Sequence, residues 1–383
     1  MPKQSLSRRQ FAATLGVAVA AAAARTSFSP LGLQRPARPP RPAGMILLNA
    51  NENPYGPSPK ALAAMTQSQS VAMRYPGAAI DEVVHEIAQL HGVTPDNIAL
   101  GCGSTEILRV CDMAFLAPDK NLVAAEPTFE AVLEYARVTR AQAIKIPLTT
   151  DFRHDLPRMA AQCTSRTGVV YLCNPNNPTG SIVTRDEMVR FFDDVPKSTL
   201  IIVDEAYHHF VDDLHYSSAT EWLDKMPNLI VARTFSKIYG LAGMRLGYAI
   251  GNKDTLAAMR PYLNEDNCNA GVLAAANAGI QDSEYVAECR TRIVGSRNWL
   301  SNQLKGLGCN VISSQGNFMM VAMGRDVRPV IEEFRKRNVA VGRQFPSMGQ
   351  WLRVSIGTSD DMNAFFAAFR EIYCAGKACP AAA

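Results

Sequence analysis

Thr234-Phe235-Ser236-Lys237-Ile238-Tyr239-Gly240-Leu241-Ala242-Gly243-Met244-Arg245 decides how the rest of this chain is read. It follows Leu229-Ile230-Val231-Ala232, an apolar run with the length and content of a buried parallel strand. Lys237 therefore stands just past a strand end, where the loops of an open α/β sheet leave a crevice for ligands. Ser236 precedes it and Arg245 follows eight positions later, so an amine, a hydroxyl and a fixed cation can converge on one anion. An imine-forming lysine beside a phosphate site is the chemistry this set suggests. Taken alone, a Ser-Lys pair is more often a solvated loop, because lysine is mostly exposed. The other strand ends change that.

Ile98-Ala99-Leu100 leads through Gly101-Cys102-Gly103-Ser104-Thr105-Glu106 into a helical run, Ile107 to Phe115. Backbone amides at such a helix start, with the hydroxyls of Ser104 and Thr105, make an anion cradle. Glu106 stands where a dinucleotide fingerprint has its third glycine, so the turn reads as a phosphate cup and not as an NAD site. Leu122 to Ala125 is a strand that delivers Phe129 to its end, with simple core packing as the plainer reading of that ring. Ala143 to Leu148 and Gly168 to Cys173 are further strands; the second ends in Asn174-Pro175-Asn176-Asn177-Pro178-Thr179-Gly180, a rigid turn that admits cis Asn-Pro bonds. Leu200 to Val203 delivers Asp204-Glu205-Ala206-Tyr207 to the same edge. A partly buried carboxylate there can hold a protonated ring nitrogen, although Asp204 would also serve as a helix cap.

Ahead of the sheet, Leu47 to Pro57 is a loop rich in Asn and Pro that can line a site, and Arg74-Tyr75-Pro76-Gly77 is a turn before an amphipathic helix. After a strand at Leu246 to Ile250 the pattern changes. Helical periodicity runs from Val272 to Leu304, then short strands at Val311-Ile312, Phe318 to Val321, Val339 to Val341 and Trp351 to Ile356 surround a helix, Val327 to Asn338. With a last helix from Asp360 to Tyr373, this is a smaller α+β domain. Arg353 projects from one of its alternating strands, and an inward arginine asks for an anionic partner. His208, His209, Asp212, Asp213 and His215 lack metal-ligand spacing and read as a solvated helix or loop. The nine cysteines form no CxxC pair, and no metal site is expected.

The 383 residues allow two domains at about 100 to 200 residues each. The first 24 residues differ in kind: Arg8-Arg9 precedes the uncharged run Ala12 to Ala24, the pattern of a twin-arginine signal peptide. That run is shorter than the about 20 apolar residues of a membrane span, so no span is expected in the mature protein. Residues 25–44 form a Pro/Arg-rich linker. Seven of the 39 basic residues precede the first acid, Glu52, leaving 32 against 35 acidic ones, so the body is near neutral and nucleic acid is not an expected partner. The expected location is periplasmic or otherwise exported, or cytoplasmic if the leader goes unused.

An anion cup, an aromatic, an asparagine turn, Asp with Tyr, and Lys with Arg, in that order, resemble the fold-type I pyridoxal-phosphate aminotransferases, and most nearly the histidinol-phosphate aminotransferase group. The resemblance covers Leu47 to Tyr373. It implies an α/β fold with a large domain built on a mostly parallel, doubly wound sheet (71–266), a small α+β domain (267–374) joined by an N-terminal arm (45–70), and a tail (375–383). It implies pyridoxal 5'-phosphate joined to Lys237, which later moves the substrate's Cα proton. Asp204 would hold the ring nitrogen, Tyr207 and Asn177 the phenolic oxygen, Phe129 the ring face, and Gly103, Ser104, Thr105, Ser236 and Arg245 the phosphate. Asn53, Tyr55, Arg343 and Arg353 would contact substrate, an amino donor or a 2-oxo acid. Tyr75 would reach the neighbouring subunit's site in a homodimer. The leader and the loop Gly342 to Pro346 depart from the usual pattern, which leaves room for an exported aminotransferase of aromatic or other amino acids, or for a lyase or decarboxylase of the same fold.

Overall fold

The computed structural model describes residues 44–375 apart from Glu265. The expected leader, almost all of the linker and the tail beyond 375 lie outside the described residues. The described strands are β1 (Ile46–Leu48), β2 (Ile98–Gly101), β3 (Asn121–Glu126), β4 (Gln142–Pro147), β5 (Thr167–Cys173), β6 (Leu200–Asp204), β7 (Leu229–Thr234), β8 (Gly247–Gly251), β9 (Phe318–Ala322), β10 (Val339–Val341) and β11 (Trp351–Ser355).

Seven of them form one sheet in the order β2-β8-β7-β6-β5-β3-β4, with only β8 antiparallel to its neighbours. Because the rest are parallel, β2, β3, β5, β6 and β7 all end on one edge. Their interiors are buried on both faces, as apolar runs without alternation predict. Period-two geometry divides them all the same. Leu122, Tyr171, Ile202 and Ala232 pack under the helices Ser104–Phe115 and Ala131–Val138, while Val123, Leu172, Val203 and Val231 join the larger core on the other side.

Two small ribbons complete the body: β1 runs parallel to β10, and β11 antiparallel to β9. The helical periodicity from Val272 to Leu304 is carried by two helices, Ala270–Ile280 and Ser283–Gly306, and Val311 makes only an isolated bridge to Val321. Among the described residues no helix is long and apolar enough to cross a membrane.

Candidate active site

The glycine turn after β2 is shaped by its neighbours. Gly103 has φ +79°, and a Cβ there would lie 2.0 Å from Arg245 Nη2. Gly247 on β8 presses equally close, its Cβ position being 2.2 Å from the Ser104 amide. The sheet edge thus seats the N-terminus of the helix Ser104–Phe115, and Arg245 closes over it. Arg245 Nη1 donates to Ser236 Oγ (3.3 Å) and Nη2 to Thr105 Oγ1 (3.4 Å). Glu106 accepts from the Cys102 amide (2.6 Å) and from Asn267 (2.6 Å), which pins the turn from behind. Helix amides, two hydroxyls and a guanidinium form one anion cradle.

Asp204, at the end of β6, is buried. Its Oδ2 accepts from the Tyr171 hydroxyl at 2.9 Å and its Oδ1 from the Ala206 amide at 3.1 Å. Burial pushes this carboxyl up to about 6, opposed first by the Tyr171 hydrogen bond. On the other face, Glu205 takes two bonds from Arg233 (2.8 and 3.1 Å) and one from the Ala219 amide (2.6 Å). This buried pair ties the ends of β6 and β7 together, and those ends carry Asp204 and Lys237.

Lys237 is half-buried, and its Nζ donates to the carbonyls of Asn51 (3.0 Å) and Ala50 (3.4 Å). Burial, then the cations of Arg353 and Arg245, lower this amine to about 8, while Glu52 and Asp204 pull the other way. The Tyr207 hydroxyl accepts from Asn51 Nδ2 (3.1 Å) and Asn177 Nδ2 (3.4 Å), and Lys237 Nζ lies 5.4 Å from the centre of its ring. Arg353 donates to Asn177 Oδ1 (2.8 Å) and to the Asn49 carbonyl (2.9 Å), while its Nε, buried, has no partner. A guanidinium with a spare buried N–H is prepared for an anion.

The structure therefore brings Lys237, Asp204, Tyr207, Asn177, Arg353, Ser236, Arg245 and the cup residues to one sheet edge. Phe129 is half-buried and packs against the core beneath the helix Ser104–Phe115, so core packing accounts for at least part of it. Other residues stand apart. Asn53 donates to the Ile238 carbonyl (2.7 Å) and accepts from the Tyr55 amide, which fixes the loop behind the lysine. The Tyr55 ring lies 5.1 Å from the Arg292 guanidinium and borders a cavity of about 680 Å³ with Trp299, Thr358 and Asn363, to which Lys237 contributes nothing. Arg343 pairs with Glu130 at the protein surface, its guanidinium 4.4 Å from the Phe345 ring. Tyr75 is 87% exposed.

The solvated reading of the histidine cluster is corrected in part. His215 is exposed, but His208 and His209 are packed on each other (3.8 Å) and His209 on Tyr239 (5.5 Å), and burial lowers both imidazoles. A polar run beside a strand end reads as surface, but here the two rings pack on each other and on Tyr239. Sequence reasoning also missed Asn51, Ser355 and Tyr171. Asn51 binds Lys237, Tyr207 and Ser355 at once from a left-handed backbone (φ +54°). Its place in an Asn-rich loop was the available signal.

A buried carboxylate, a phenol with an amide partner, a depressed lysine and an anion cradle are the donor set that a pyridine aldehyde phosphate needs, and on a doubly wound sheet they define a fold-type I pyridoxal-phosphate enzyme. The chain belongs to the aminotransferase class I and II family, which matches residues 43–369. It is 36% identical over 331 residues to a histidinol-phosphate aminotransferase of Moorella thermoacetica, covering 86% of this chain and 85% of that one. The crystal structure of histidinol-phosphate aminotransferase from Sinorhizobium meliloti in complex with pyridoxal-5'-phosphate superposes with a TM-score of 0.82 at 27% identity, over 86% of this chain and 91% of the other. L-Threonine-O-3-phosphate decarboxylase from Porphyromonas gingivalis shares the fold at a TM-score of 0.73 and 18% identity, over 85% and 98%. The protein is an aminotransferase that uses pyridoxal 5'-phosphate.

Proposed function

We propose that this enzyme moves an amino group from histidinol phosphate to 2-oxoglutarate, with Lys237 as the amine that carries the cofactor. The histidinol-phosphate aminotransferases named above support histidinol phosphate as the donor. The observation that carries the site assignment is the convergence of Lys237, Asp204 and the Tyr207–Asn177 pair on the edge where the anion cradle opens.

In this reading Ser104, Thr105, Ser236 and Arg245 hold the phosphate, Asp204 the ring nitrogen, Tyr207 with Asn177 the phenolic oxygen, and Phe129 the ring. When bound, the cofactor supplies an electron sink for the charge left at the substrate's Cα. Lys237, already shifted toward neutrality, would take the substrate's Cα proton on Nζ and return it to the product. Asp204, as an anion, keeps its ring partner protonated. Arg353 orients the substrate's carboxylate or phosphate through its free edge, and the carbonyls of Ala50 and Asn51 aim the lysine.

A second reading, transamination of aromatic or other amino acids, fits the same site, because Arg353 is buried and can take a single carboxylate while Arg343 is already paired with Glu130. Borohydride treatment followed by peptide mapping tests the first step, because a reduced cofactor adduct must appear on Lys237. A donor screen with histidinol phosphate beside the aromatic amino acids, with keto-acid product measured against amine or ammonia, separates the two readings and also a lyase or decarboxylase.

Two further parts belong to the proposal. The exposed apolar residues Val71, Met73 and Tyr75 support a homodimer in which Tyr75 reaches the partner's site, which sedimentation of the purified protein tests. Arg8-Arg9 before Ala12 to Ala24 supports export by the twin-arginine route, and fractionation of cells making the full chain or a twin Arg→Lys variant tests it.

A further inference from the structure

We propose that Tyr171 is a positioning residue for transamination: its hydroxyl, donated across the sheet, holds Asp204 as an oriented anion facing the cofactor's ring nitrogen. This rests on the assignment of Asp204 made above.

The geometry follows from strand register. β5 and β6 are parallel with Cys173 opposite Asp204, so period two puts Tyr171, Cys173 and Asp204 on one face of the sheet. Tyr171 sits two residues, about 6.6 Å, below that level, which is about the reach of a tyrosine side chain directed along the strand. Its hydroxyl arrives at Asp204 Oδ2 at 2.9 Å. The ring is fully buried, among Val169, Ile202 and Ala232, so water does not compete for that bond.

The bond also has a chemical purpose. A carboxylate taken out of water tends to hold its proton, and a protonated Asp204 could not stabilise a positive ring nitrogen. The groups facing it are Tyr171 from β5, Lys237 from the loop after β7, Glu205 and Tyr207 beside it, and the Cys173 thiol. Glu205 opposes ionisation, whereas Tyr171 is the largest of the influences that favour it. The Ala206 amide occupies Oδ1. Two donors on two oxygens fix both the charge and the plane of the carboxylate.

The test uses Tyr171→Phe, which keeps the ring, read first without any cofactor. Infrared spectra of the cofactor-free protein, with the Asp204 band identified by subtraction of Asp204→Asn, should show a titration near pH 6 that rises by about one unit or more in Tyr171→Phe. Calorimetric titration with pyridoxal 5'-phosphate should show affinity weakened about ten-fold or more, as expected for one lost hydrogen bond to a charged group. In an Asp204→Asn background the same change should cost less than about two-fold. If Tyr171→Phe does not fold, 3-fluorotyrosine at position 171, a stronger donor, should shift the band downward instead. An unmoved band, or equal losses in both backgrounds, overturns the proposal. Failure of borohydride labelling at Lys237 would instead remove the cofactor assignment while leaving the infrared result standing.

Discussion

Replacing Arg353 gives the most direct measure of how substrate is held. The side chain is 8% exposed, both of its partners, Asn177 Oδ1 and the Asn49 carbonyl, are neutral, and its Nε is unsatisfied. Burial lowers it to about 10, which still leaves it charged at neutral pH. An anion placed on that free edge completes a buried, charge-assisted pair. Truncating one member of such a pair costs about 2 to 5 kcal/mol. At 1.4 kcal/mol per decade, Arg353→Ala should lose about thirty-fold to a few thousand-fold in kcat/KM for 2-oxoglutarate. Arg353→Lys keeps the charge but not the planar fork and should fall between. Stopped-flow measurement of each half-reaction supplies the constants, and a primary amine without an anionic group serves as the control, since its slow reaction should change little. The variant also frees Asn177, so cofactor affinity is measured in parallel. Wild-type kinetics with 2-oxoglutarate in Arg353→Ala would refute the assignment.

Gly103→Ala should keep the fold, because the clash is with the mobile end of Arg245, yet cost about 1 kcal/mol in stability and weaken cofactor binding about ten-fold, which equilibrium dialysis would show. Uptake of pyridoxal 5'-phosphate by the cofactor-free protein should accelerate with pH up to a midpoint near 8, as Lys237 loses its proton; a midpoint at the ordinary lysine value would remove the effect of burial. Asp112 is fully buried in the helix Ser104–Phe115 with both carboxyl oxygens unpartnered, and burial pushes it up to about 8. The native state then keeps a proton that the unfolded chain gives up near pH 4, so this group's contribution falls by about 1.4 kcal/mol per pH unit between about pH 4 and 8, and urea midpoints of Asp112→Asn should lack that slope.

What could be read in the sequence was governed by local periodicity. Parallel strands buried on both faces appear as unbroken apolar runs, so β3, β5, β6 and β7 and the residues at their ends were legible one at a time. Helices carrying only moderate apolar patterns were missed although their caps were present: Thr184 and Glu187 form a capping box before Arg185–Asp194, and Ser58 caps Pro59–Ser68. Contacts between distant segments left no local mark. Tyr171 looks like one more strand residue until the register sets its hydroxyl beside Asp204. Tyr55 belongs to a loop that looked suited to a ligand, yet its ring is held by Arg292 and Tyr285 bonds its carbonyl.

Asn51 shows why the arm before the sheet is part of the active site and not packaging around it. Its carbonyl holds Lys237 Nζ, its amide group holds the Tyr207 hydroxyl, and both ends of that residue are anchored to Ser355, which lies beyond Arg353 on β11. Asn317, before β9, binds the same carbonyl. Lysine and phenol are therefore oriented through one buried residue whose left-handed backbone is kept by contacts 304 and 266 positions away. The arm, the sheet edge and the β9–β11 ribbon must all be docked before the amine points correctly, so the reactive geometry is a property of the whole described fold and no single strand end could have contained it.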